Sequence, residues 1–203
     1  MTSIEAHRER ARRFTSIVSR TAGGVRAALV GMVLLMGAAA SARAQGYPFS
    51  QRGSVSQNVA LTEITVEYGR PIARGRALFG ALVPWDSVWH PGADSATRIV
   101  FSHPVLLEGH EVKAGEYSLW LIPHASAPWT VILSRAAHTF HKPYPGAAND
   151  AYRFDVTTEK GSHMESLAIY FPSVVKADAV LRIHWGETIV PIRVTAPYRS
   201  LAP

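Results

Sequence analysis

The chain has 203 residues, 47% of them hydrophobic, a formal net charge of +6 and no cysteine, which excludes disulfides, thiol nucleophiles and thiolate metal sites. The basic excess sits at the N terminus: residues 1–44 hold 7 Lys and Arg against 2 acids, leaving 14 basic and 13 acidic residues in the remainder. That near balance gives no basic surface for nucleic acid.

Residues 1–44 read as a helical signal peptide. Arg8, Arg10, Arg12, Arg13, Arg20 and Arg26 form a basic leader ahead of an apolar run at 27–40. A run of about 14 residues is short for a membrane span and right for a signal-peptide core. Ala42-Arg43-Ala44 is a small-residue cleavage site, so cleavage is expected between Ala44 and Gln45. The expected product is periplasmic or extracellular, with no membrane span. It keeps about 159 residues, enough for one well-buried domain. Residues 45–53 are polar and contain Gly and Pro, and read as a flexible lead-in; the domain proper is expected over 54–196, with a tail at 197–203.

Strand follows strand from there. Val55, Gln57, Val59 and Leu61 alternate with Ser54, Ser56, Asn58 and Ala60; Ile64, Val66 and Tyr68 alternate with Glu63, Thr65 and Glu67. Alternation with period two places one set inward and the other in water. After Tyr68 the alternation stops until about residue 97. The intervening stretch is dense in Arg, Trp, Gly and Pro: Y-G-R-P-I-A-R-G-R-A-L-F-G-A-L-V-P-W-D-S-V-W-H-P-G-A-D-S-A-T. A connection of that length without regular structure is uncommon in a compact domain and usually functional. Its two Trp, its Phe and its Pro-fixed turns argue for order.

The loop holds the candidate ligand-binding residues Arg70, Arg76, Trp85, Trp89, His90 and Asp94. A guanidinium fork can bind a carboxylate or phosphate at two points, and an exposed indole suits the C–H face of a sugar ring. The binding partner so implied is a small anionic ligand, a glycan or an envelope partner. The same residues also admit a structural reading, in which the Arg side chains bond loop carbonyls or Asp94 and the Trp rings cover one end of the core. Leu78, Phe79, Leu82 and Val83 are expected to form the underside that docks on the sheets.

Short apolar runs resume at 99–102 and 105–107, followed by a hairpin turn at 108–111 and strands at 115–123 and 129–134. A second long connection spans 134–150. Tyr152, Phe154 and Val156 alternate next. Gly161 is expected to break the chain before Leu167, Ile169 and Phe171. Leu181, Ile183 and Trp185 follow, and Gly186-Glu187 is expected to turn into a last strand over 189–195. Pro191 there predicts an edge strand or a bulge, since proline cannot donate to a ladder. About ten strands with no amphipathic helix predict an all-β, single-domain, two-sheet β-sandwich, with a jelly roll as one form of it.

No cofactor motif is present: there is no Gly-rich phosphate loop before a helix, no H-E-x-x-H and no G-x-S-x-G. His90, His141, His163 and Glu165 could form a metal site only if folding brought them together. That convergence, with Asp94, is what a metal-dependent or acid/base hydrolase would need. Without such motifs the sequence favours a binding protein over an enzyme.

The run G-R-P-x-x-x-G-R-x-L-F-G-x-L-V-P-x-x-x-V-W-x-x-G-A-x-x-A-T, with A-G-E-Y-S-L-W-L-I-P at 114–123 and W-T-V-I-L at 129–133, resembles the domain-of-unknown-function 2911 family over roughly residues 54–195. The resemblance implies a small exported bacterial protein, mostly β, with no established activity. Two positions depart from that family's usual pattern: His90 stands where Arg is usual, and Asp94 where Asn is usual.

Overall fold

The alternating stretches become ten antiparallel strands in the computed structural model, which describes residues 50–197. The expected signal peptide and most of the expected tail lie outside those residues. The strands are β1 (Gln51–Val59), β2 (Thr62–Arg70), β3 (Arg98–Phe101), β4 (Val105–Leu107), β5 (His110–Val112), β6 (Gly115–Ile122), β7 (Trp129–Ser134), β8 (Asp150–Val156), β9 (Glu159–Val175) and β10 (Asp178–Thr195). They form a six-stranded sheet in the order β1-β2-β3-β6-β7-β8 and a four-stranded sheet in the order β5-β4-β10-β9. Among the described residues the helical content is one 3-10 turn, Ala147–Asn149, and no helix is long and apolar enough to cross a membrane.

One apolar core joins the inner faces of the two sheets, as in a β-sandwich. Ile64, Val66, Phe101, Leu119, Leu121, Val131 and Leu133 from the larger sheet meet Leu107, Leu167, Ile169, Leu181, Ile183 and Ile192 from the smaller. In β2 the buried Thr62, Ile64, Val66 and Tyr68 alternate with the exposed Glu63 and the half-buried Thr65 and Glu67, up to Gly69, which is also buried. This is the alternation expected from the side-chain period of a strand.

Several expectations are corrected. β1 begins at Gln51, inside the expected lead-in. Leu61 is not inward: it sits in the two-residue turn between β1 and β2 and is 74% exposed. Gly161 does not break the chain, because β9 runs through it; Gly186-Glu187 does not turn, because β10 continues past it. The β9–β10 pairing instead shifts register between Val180 and Arg182, between His184 and Gly186, and between Gly186 and Thr188. A bulge absorbs an irregular residue without ending the strand.

Pro191 lies in an internal strand, not at a sheet edge. It falls in a gap between two pairings: β10 pairs β9 as far as Ile189 and pairs β4 from Val194. The missing N–H of proline therefore interrupts no ladder.

Candidate functional site

The larger sheet is covered on its outer face around β6 and β7. Trp120 and Ile132 point away from the main core and are fully buried in a second cluster with Ala96, against which Val88 and Tyr144 pack. Sequence position explains the arrangement: Ala96 and Val88 belong to the connection after β2, and Tyr144 to the connection after β7. The runs Leu119-Trp120-Leu121 and Val131-Ile132-Leu133 are unbroken apolar sequences, as expected for strands covered on both sides.

The β2–β3 connection is held by backbone bonds. It extends the sheet along the side of β6 beyond the end of β3: Trp89 exchanges both backbone bonds with Leu121 at 2.8 and 2.7 Å, and Asp86 N–H donates to Pro123 O at 2.8 Å. The second connection then lies on the first, since His141 N–H donates to Asp94 O at 2.9 Å and Ala96 N–H to Thr139 O at 2.9 Å. On the other side, Ala73 N–H donates to Glu165 O at 2.8 Å and Leu167 N–H to Pro71 O at 2.9 Å. Leu78 and Val83 are buried underneath and Phe79 packs partly buried, but Leu82 is exposed and does not belong to the underside.

The arginines bond carbonyls. Arg76 donates through Nε to Ala73 O at 2.9 Å and through Nη2 to Ile72 O at 2.6 Å. Arg70 donates through Nε to Leu167 O at 3.1 Å, tying the end of β2 to β9. Asp94 is the partner of neither side chain in these bonds.

The tryptophans form part of an aromatic cluster. Trp89 stacks on Trp185 with centroids 6.0 Å apart and planes 15° apart, and meets Phe79 edge-on at 5.7 Å. Trp85 lies tilted against Phe79 and edge-on to Trp129, each at 6.4 Å. Edge-to-face and offset-stacked rings add to plain burial.

A cleft of about 440 Å³ opens between the two connections. Of the six sequence candidates it brings together Arg76, Trp89, His90 and Asp94; Arg70 and Trp85 do not line it. Arg74, His141, Lys142 and Trp185 join them, with Val83 and Val88 among the apolar walls. Lys142 and Trp185 are not legible as site residues in the sequence, because each reaches the cleft from a segment distant along the chain. Of the formal charges lining the cleft, three are cationic (Arg74, Arg76 and Lys142) and one is the Asp94 carboxylate.

His90 is buried, and its pKa is lowered from 6.5 to about 4, chiefly by burial and secondly by the neighbouring His141. It is therefore neutral at physiological pH. The four residues of the metal alternative separate into two pairs. His90 and His141 face each other with centroids 6.1 Å apart. His163 bonds Glu165 at 2.8 Å, and Glu165 also accepts the Arg74 backbone N–H at 2.7 Å. The His163 bond and the Arg74 bond hold the Glu165 carboxyl below its usual pKa. Among the described residues no group of three or more His, Asp or Glu is placed to hold a metal ion.

Searches of curated proteins and of solved structures find no match. A family model does match, over residues 50–194, which include both connections and all ten strands but the last residue of β10; the chain belongs to that family, described as Protein of unknown function (DUF2911).

Proposed function

We propose that this protein binds a small anionic ligand, such as an acidic sugar or an aromatic acid, in the cleft between the two long connections. One observation carries the reading: a single cleft joins Arg74, Arg76 and Lys142 to the indoles of Trp89 and Trp185. Cations concentrate anions and hold a carboxylate by charge-assisted bonds. The half-buried indole of Trp89, backed by the buried Trp185, offers an apolar contact for a ring. A concave, mostly apolar site with a few polar groups is the usual form of a small-ligand pocket. We propose further that the protein acts outside the cytoplasm, on the strength of the basic leader, apolar run and cleavage site in residues 1–44.

Calorimetric titration of the purified protein with benzoate, galacturonate and galactose tests the binding reading. One of the acids binds, its affinity falls as salt rises, and Lys142→Ala weakens it several-fold. Failure of both acids to bind, or binding of galactose as tight as galacturonate, overturns it.

A further inference from the structure

The floor of this cleft carries a feature separate from its charged residues. His90 is 3% exposed and lies edge-on to Trp120 at 5.5 Å, with the His141 ring on another side at 6.1 Å and 30° between the planes. Nδ1 of each histidine is buried and has no hydrogen-bond partner among the described residues. Around His90 that nitrogen is walled in. A methyl group built on Gly92 would come 3.0 Å from it and 2.7 Å from Thr97 Oγ1. The Thr97 hydroxyl is already committed to Pro91 O at 2.8 Å.

A neutral imidazole carries one N–H and one lone pair. Buried N–H groups without a partner are rare and costly, whereas a buried acceptor that lacks a partner is tolerated somewhat more often. The bare position at Nδ1 is therefore the lone pair, and the proton belongs on Nε2. The same argument holds for His141. Building on the ligand-cleft reading above, we propose that His90 and His141 form a pair of Nε2–H donors that selects a ligand carrying a carboxylate or similar oxyanion. A neutral donor suits the His90 position, because burial and the neighbouring His141 disfavour its charged form. The arrangement also argues against a metal cation. Metal ligation uses the lone pair, which here is at the walled-in Nδ1, and the cleft already carries Arg74, Arg76 and Lys142 beside the single carboxylate of Asp94.

Two measurements test the proposal. Long-range proton–nitrogen NMR of the free protein reads the tautomers directly, and both rings are expected as Nε2–H; an Nδ1–H form at either overturns the proposal whatever binds. Benzoate titration of variants is the second. His141 lies on the surface connection and is only partly buried, so thermal melts of its variants should stay near wild type. His141→Leu is expected to weaken benzoate at least tenfold, while His141→Gln, which keeps an N–H near the Nε2 position, stays within about threefold. Binding of benzyl alcohol, which lacks the oxyanion, is expected to be the same in all three proteins. If Lys142→Ala weakens benzoate but His141→Leu does not, the cleft reading stands and the histidine pair fails. If wild type binds no acid, both fail. Zinc binding that is lost in both His141 variants would overturn the donor assignment.

Discussion

Arg76 shows how a chemically suggestive side chain can serve the backbone. Its Nε and Nη2 are used on Ala73 O and Ile72 O, which fixes the turn leading into the cleft. Charged donors to carbonyls contribute more than neutral ones, but Arg76 is exposed and water competes. Arg76→Ala is expected to lower stability by about 1–2 kcal/mol in urea denaturation, with Arg76→Lys in between because an ammonium lacks the planar fork. His90 gives a different signal. Its folded pKa of about 4 lies below the unfolded 6.5, so the unfolded chain binds more protons between those values. Stability is complete above about pH 6.5 and falls by about 3 kcal/mol as pH drops through 4. Denaturation curves from pH 4 to 8 check this, and His90→Asn is expected to flatten the acid limb.

At the scale of elements, the β2–β3 connection is a built part of the sheet. Close approach is its signature: a methyl group on Gly69 would lie 2.3 Å from Ala93 O. Backbone cannot yield as a flexible side chain can, so Gly69→Ala is expected to cost about 1–3 kcal/mol and to displace residues around 93. A melt of the variant measures the cost, and loss of acid binding reports the displacement. Trp120 tests the outer layer from the other side. It is 1% exposed and its indole N–H donates to Ser118 Oγ at 2.8 Å. Trp120→Ala is expected to cost about 3–5 kcal/mol, a value that a half-exposed strand face would not reach. Stability near wild type in that variant would show that the two connections do not cover the sheet.

For the whole molecule, the near balance of charge after residue 44 and the absence of cysteine leave burial as the main source of stability. The folded chain is therefore expected to melt at the same temperature with and without reducing agent. Mass spectrometry of the protein from the cell envelope is expected to give a chain starting at Gln45; an intact leader on the recovered product would count against export by this route. Circular dichroism of the chain from Gln45 on is expected to show β structure with little helix, since the described residues hold one 3-10 turn beside ten strands.

Period-two alternation is a local property, and that is why so much of the sandwich is legible in the sequence alone. The expected strand 129–134 is β7 itself, and Ile64, Val66 and Tyr68 face inward as their spacing dictates. Glycine misleads because it permits both a turn and a bulge, and only the pairing partner decides between them: Gly161 and Gly186 stay inside β9 and β10 because each strand has the other to pair with. Proline at 191 signals a missing ladder bond correctly, but not that the gap lies inside the sheet. Loop composition marks residues 68–97 as the place for a site, and four of its six candidates do line one cleft. What composition does not reveal is the far wall. Lys142 and Trp185 arrive there, beside His141, a candidate already legible with His90 and Asp94, only because the second connection folds over the first and β10 brings its indole against Trp89. Contacts between segments so far apart in sequence are decided by how the two sheets and their coverings pack, and no local pattern of residues encodes them.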